Sequence, residues 1–289
     1  MKKYFIMFAA IAALMCSCTK DNEVVNPTPV VNDGESVVTL RFSPYEIIPM
    51  KSVASVASLC DKIDIWIIDT VNNDTIVIHK QREGTGNNAT FGNITATLQT
   101  NKTYRLLAMA HNTDEMCTFE NGIFAFSENK IKQTLYADTV FSPADGLSLN
   151  IVMQRIVGMF KMIVTDNIIS GVTGFRFHVF SAGCKWNIAG YSEDRGERIH
   201  TINGTTQNDY GYVVYNMYIM GDNMIDTLNV NITAEAIDAN GDAQETRYFE
   251  NVPIKDGYIT QYTGTFFITF NMGFSFGVGD WGTFGNYTY

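Results

Sequence analysis

From Ser36 onward the chain is written largely in period two, and that constrains its fold more than any other feature. Lys62–Asp69 reads Lys-Ile-Asp-Ile-Trp-Ile-Ile-Asp, and comparable alternating or β-branched runs recur along the chain. Successive side chains of a strand point to opposite faces, so such runs bury one face and hydrate the other. The spacing predicts strands over Ser36–Phe42, Lys62–Asp69, Thr75–Lys80, Ala89–Gln99, Thr103–Ala110, Gly122–Phe126 and Leu147–Gln154. A second set covers Val157–Thr165, Thr173–Phe180, Tyr210–Met220, Thr227–Ile237, Gln244–Phe249 and Ile259–Phe270. Residues 111–146 are less regular, and Ser52–Leu59 is the one short stretch with helical spacing. Short strands separated by Asn-, Gly- and Pro-bearing turns predict an all-β sandwich fold. The strand sets meet at Gln154-Arg155-Ile156, which predicts one sandwich over 36–154 and a second over 155–289.

The segment ahead of the strands carries a different signal. Met1-Lys2-Lys3 is basic, Tyr4 to Met15 is apolar, and Met15-Cys16-Ser17-Cys18 follows. This is the layout of a secretory signal, too short to span a bilayer in the mature chain. Its end resembles a bacterial lipobox, with Ser17 before the cut and Cys18 acylated. Cys16 fits less well, because bulky Met15 precedes it. The expected mature chain begins at Cys18, and residues 18–35, polar and carrying Pro27 and Pro29, form a tether. Lys20-Asp21-Asn22-Glu23 resembles an acidic export tag of surface lipoproteins of Bacteroidetes; a solvated spacer facing the periplasm is the alternative.

Cleavage removes two lysines and no acids from totals of 20 basic and 30 acidic residues, leaving a net charge of −12. Such a surface repels nucleic-acid phosphates and anionic headgroups, so membrane attachment falls to the acyl chains on Cys18. Cys60, Cys117 and Cys184 remain, an odd and widely spaced set that makes a poor disulfide framework: either buried apolar residues or one pair with a leftover.

Catalytic signatures are missing. His79, His111, His178 and His200 have no metal-ligand spacing, and no cofactor motif is present. Asp238-x-Asn240-x-Asp242 imitates a calcium loop but has Ala243 where the sixth-position glycine belongs, so a hairpin turn explains it better. No glycine-x-serine-x-glycine elbow or paired-carboxylate motif stands out, and no enzyme activity is expected. Among the tryptophans, Trp66 reads as core, whereas Trp186 and Trp281 are candidate glycan contacts.

Residues 147–164, Leu-Ser-Leu-Asn-Ile-Val-Met-Gln-Arg-Ile-Val-Gly-Met-Phe-Lys-Met-Ile-Val, resemble the signature of the fimbrillin superfamily of Bacteroidetes. Val38–Phe42, Lys62–Asp69, Tyr104–Asn112 and the Phe249–Phe267 stretch with its Val252-Pro253 step follow the family order. Length and lipobox are most similar to FimB-type anchor and minor subunits. The resemblance implies two tandem transthyretin-like β-sandwiches in a fimbrial subunit of the outer membrane that serves cell adhesion. It further implies assembly with other fimbrial subunits by strand donation, a form of β-augmentation. In that family shaft subunits are cut after Arg or Lys, which makes Arg41 and Lys51 candidate processing sites. Arg155, at the join, is expected to be structural, its guanidinium binding carbonyls or a carboxylate. The aromatic Gly264–Tyr289 segment is either an inter-subunit strand or the last core strands. A surface glycan-binding lipoprotein, with a host or glycan ligand, is the second reading.

Overall fold

A computed structural model describes residues 34–45, 55–82, 91–114, 117–126, 131–222 and 225–267, together with the backbone of Ser275–Asp280. The first strands are β1 (Glu35–Pro44), β2 (Lys62–Asp69), β3 (Thr75–Arg82), β4 (Asn93–Gln99) and β5 (Tyr104–His111). Next come β6 (Cys117–Glu120), β7 (Ile123–Phe126), β8 (Thr134–Phe141) and β9 (Ser148–Arg155). Beyond Ile156 lie β10 (Val157–Val164), β11 (Gly174–Ala182), β12 (Lys185–Asn187), β13 (Tyr191–Glu193) and β14 (Gly196–Asn203). The set closes with β15 (Val213–Met220), β16 (Leu228–Ile237), β17 (Ala243–Ile254), β18 (Tyr258–Gly264) and β19 (Ser275–Asp280). A single 3₁₀ turn, Val56–Ser58, is the only helical element among the described residues.

The strand wiring occurs twice. In the first sandwich the order is β3-β2-β5-β8 on one side and β9-β1-β4 on the other, joined into one sheet by a short β8–β9 pairing; in the second it is β14-β11-β16-β17 and, in a separate sheet that also carries β19, β18-β10-β15. Position for position these orders match. In both, the opening strand runs parallel to a later one, β1 to β9 and β10 to β18, and antiparallel to its other neighbour, β4 or β15. Each sandwich closes over its own core. Leu40, Ile65, Leu106, Ile94, Leu135 and Met153 fill the first; Phe160, Phe175, Phe177, Tyr215, Ile232 and Phe249 fill the second. Burying these alternating faces supplies the main driving force, about 25 cal/mol per Å² of apolar surface.

Two insertions break the symmetry and join the halves. β6 and β7 lie between β5 and β8, whereas β12 and β13 lie between β11 and β14. Together they form one sheet, β13-β12-β7-β6, in which Phe124 stands opposite Trp186. This sheet covers the outer face of β2 and β5, and its core holds Trp66, Leu107, Met109, Phe124, Ile156 and Trp186. β2 and β5 are therefore buried on both faces, which is why they read as nearly unbroken apolar runs.

Most expected strands are present, with corrections at the ends. The Tyr210–Met220 expectation shortens to Val213–Met220, because the Asn208 side chain accepts the Tyr210 and Tyr212 amides and holds them in a turn. The Ile259–Phe270 expectation stops at Gly264 among the described residues, 268–270 lying outside them: the Asp166 carboxylate accepts the Phe266 and Phe267 amides at 2.8 and 2.7 Å and takes them out of the ladder. β6, β8, β12, β13 and β14 were not expected from spacing. Ser52–Leu59 contributes only the Val56–Ser58 turn, residues 51–54 being outside the described set.

The two sheets of the second sandwich pack closely at the end nearest the junction. Gly158 of β10 lies against the end of β17: a Cβ there would be 2.7 Å from Lys255 O and 2.8 Å from Ile254 Cγ2. Backbone on one side leaves nothing that can swing away. Gly158→Ala is expected to lower unfolding free energy by about 2 kcal/mol, seen as a lower denaturant midpoint. An unchanged midpoint would mean that the contact relaxes without cost.

Candidate functional site

An unpaired strand edge presents free amides and carbonyls to another chain. On one side, β9 runs parallel to β1 from Ser148 to Met153. On the other, among the described residues, it pairs with β8 only through Leu135–Arg155 and Tyr136–Gln154. Backbone parity shows which groups are spent. Leu147 O and Met153 O accept the Thr39 and Tyr45 amides, so odd-numbered residues of β9 face β1. The backbone groups of Ser148, Asn150 and Val152 therefore point to the other edge, and Val152 is half exposed. The equivalent edge of the second sandwich, along β18, is occupied. There β19 pairs antiparallel with β18 from Tyr258–Asp280 to Thr263–Ser275. The part of Gly264–Tyr289 seen as β19 thus pairs within its own chain.

The covered face of β2 and β5 holds a polar cluster. Asp64 is fully buried; its Oδ1 accepts Arg82 Nη1 at 2.7 Å, and its Oδ2 lies 3.2 Å from His111 Nε2. Thr113 Oγ1 stands 2.5 Å from His111 Nδ1. Threonine, imidazole and carboxylate are thus in line, the arrangement of a nucleophile, base and orienting acid. Thr113 is 2 % exposed and His111 0 %, so no substrate can reach them. Burial alone would raise the Asp64 carboxyl, but its bonds to His111 and Arg82 hold it below the usual carboxylate range. Burial pushes His111 down despite Asp64, favouring the neutral imidazole. The cluster stabilises the fold by satisfying a carboxylate under the linking sheet.

The sequence candidates fall in separate places. Trp186 is a correction: it is 0 % exposed inside the linking core, 6.0 Å from the Tyr136 ring, so its faces are closed to a sugar. Trp66 is core as expected, 4 % exposed and edge-on to Phe124 at 5.2 Å. Arg41 is exposed, but its backbone sits mid-β1 opposite Asn93 of β4 and Asn150 of β9, so both sides are already paired. Arg155 ends β9 at the junction, near enough to Cys60 and Tyr218 for its charge to favour their ionised forms. Cys18, Lys51 and Trp281 lie outside the described residues. The three cysteines Cys60, Cys117 and Cys184 are free and buried, and burial pushes the Cys60 thiol up to about 12, with Asp61 adding to it. Asp238 Oδ1 is spent on the Asn240 and Asp242 amides, a turn as expected. No group of three or more His, Cys, Asp or Glu side chains suited to a metal ion occurs among the described residues.

No family model matches the chain, and no curated protein does. Solved structures do share its fold. A "putative adhesin" from Bacteroides thetaiotaomicron superposes with a TM-score of 0.55 at 10% identity, covering 88% of this chain and 98% of its own. The fimbrial anchor protein Mfa2 from Porphyromonas gingivalis superposes at 0.51 with 8% identity, covering 86% and 98%. A structure described as "putative polysaccharide binding proteins" from Bacteroides thetaiotaomicron superposes at 0.51 with 12% identity, covering 80% and 92%. At these identities the likeness is one of fold.

Asp64→Asn removes the charge that Arg82 and His111 share inside the covered face. Unfolding free energy is expected to fall by about 3 kcal/mol, measured by denaturant titration at neutral pH. Because the folded Asp64 carboxyl is depressed, its contribution is present at neutral pH and is lost as pH falls through its folded value. The wild-type advantage over the variant should therefore shrink in acid; an advantage constant down to strong acid would refute the assignment.

Proposed function

We propose that this chain is a non-enzymatic subunit of a bacterial surface fimbria, anchored to the outer membrane through acylated Cys18 and serving adhesion. It binds neighbouring subunits by accepting or donating strands. The reading is supported by the fold shared with an adhesin-type protein and a fimbrial anchor, and by the lipobox ahead of a polar tether. The observation that carries it is the asymmetry between two identically wired sandwiches. β18 has β19 along its edge, whereas the matching edge of β9 is left largely unpaired among the described residues. A strand from a neighbour, laid along Ser148–Val152, would give the first sandwich the eighth strand that the second already has. Backbone pairing would provide affinity and alternate side chains the specificity.

β19, paired to its own β18, suits an anchor or minor subunit that keeps its strand. On this reading Arg41 is cut only if β1 leaves the sheet, which makes Lys51 the more accessible of the two candidate sites.

A second reading, a surface glycan-binding lipoprotein, rests on a different observation. Phe180, Ile199 and Tyr248 are exposed on the outer face of β14-β11-β16-β17, where the parallel rings of His178 and Phe180 lie 6.5 Å apart. Glycan-array binding lost on Tyr248→Ala would favour it.

Proline at Val152 deletes an outward-facing amide while leaving the β1 ladder intact. Val152→Pro should fold, with a melting temperature within a few degrees of wild type, yet drop out of the heat-sensitive oligomer ladder. Full incorporation of a folded Val152→Pro protein would dismiss the β9 edge. Mass spectrometry of the assembled protein is expected to find a lipidated Cys18 at its N-terminus.

A further inference from the structure

The junction between the sandwiches is held by two short loops that approach it from the second one. Gly221, just after β15, donates its amide to Ile156 O at 3.0 Å, and Gly257, before β18, donates to Val157 O at 3.0 Å. Each glycine adjoins an aspartate, Asp222 and Asp256, and the two acids are near enough for the Asp222 charge to act on the Asp256 carboxyl. At Gly221 a Cβ would collide with the Asp256 carboxylate, so the glycine lets the loop and the carboxylate lie against each other.

The acids are provided for unequally. Asp222 is paired with Arg195 from the turn between β13 and β14. Both Asp256 carboxylate oxygens are shut off from solvent and accept no hydrogen bond among the described residues. The Gly221 amide, the donor beside them, is already committed to Ile156 O. The other charges on the packed elements do not compensate. Lys255, the residue before Asp256, turns away to Asp226 at 2.7 Å, and Arg155 has its Cβ beside Gly257. An ionised Asp256 would be a buried, unbonded charge opposed by a second carboxylate, whereas a protonated one is neutral.

We propose that Asp256 is a proton-operated latch: protonated, it lets the Gly221 and Gly257 loops close on Ile156 and Val157, and ionised, it drives the Asp222 loop away. The direction of its titration agrees. Burial, with the Asp222 charge adding to it, pushes the Asp256 carboxyl up to about 7, and the Gly221 amide only partly offsets this. An unfolded aspartate titrates near 3.8. Between those values the folded chain holds a proton that the unfolded chain has lost. Stability therefore falls as pH rises through that interval and levels off above it. The junction is tight in mild acid and looser in mild alkali.

The test is amide hydrogen exchange on the full chain, expressed as protection factors, at pH 5.5 and 8.5. Protection at Gly221 and Gly257 is expected to drop about tenfold or more on raising the pH, while Phe177, central in β11, changes little. In Asp256→Asn the two glycines should keep their low-pH protection at both values. A wild-type protein without the drop, an equal drop at Phe177, or a drop that persists in Asp256→Asn would overturn the latch. Should Asp256→Asn fail to fold, Asp222→Asn serves: it removes the opposing charge, so the drop should shift to lower pH and become smaller. An undiminished drop there would overturn the proposal equally.

Discussion

One residue carries the backbone from the first sandwich to the second, and both sandwiches hold it. Ile156, fully buried, gives its amide to Thr134 O of β8 at 3.2 Å and receives the Gly221 amide on its carbonyl at 3.0 Å. A connection one residue long between β9 and β10 leaves little conformational freedom to lose, so the sandwiches do not behave as beads on a flexible linker. The linking sheet adds to this. By pairing β7 with β12 it puts Phe124, Trp186 and Ile156 into one core, so opening the junction would expose aromatic surface from both halves.

The polar groups at this junction follow from its burial. Asp64 is tolerated because Arg82 and His111 reach it within 2.7 and 3.2 Å under the same sheet. Asp256 has no such partner among the described residues and answers by holding its proton. Two buried carboxylates in one molecule thus shift in opposite directions, for the reason that decides such cases generally: a bonded anion is kept, and an unbonded one is neutralised. The line of Thr113, His111 and Asp64 shows the limit of geometry as evidence for catalysis. It has a triad's reach without access to solvent.

How much of this could be read in advance depended on how locally each feature is encoded. β2, β5, β10 and β16 were legible because their apolar runs are long, and the β16–β17 turn because Asp238, Asn240 and Gly241 encode it within five residues. β8 went unseen although Leu135, Ala137, Thr139 and Phe141 alternate, since Asp138 and the irregular stretch before it diluted the pattern. β12 and β13 are three residues each, too short for any periodicity. Trp186 was misread for the same reason: it belongs to β12, whose burial comes from β7, some sixty residues earlier in the chain.

By itself the sequence determined that the chain is strand-built, where most strands lie, and that one set of strands gives way to another at Arg155. These are consequences of period-two side-chain geometry and local composition, which need no distant partner. Only the tertiary structure decided which faces are covered twice, that the two sandwiches share one wiring, that β9 keeps an edge among the described residues where β18 has β19, and that the Asp256 carboxylate is sealed from solvent. Alternation says that a strand has two faces. What lies against each face, and whether its edge is taken, is set by residues far away in the chain and becomes fixed only when they meet.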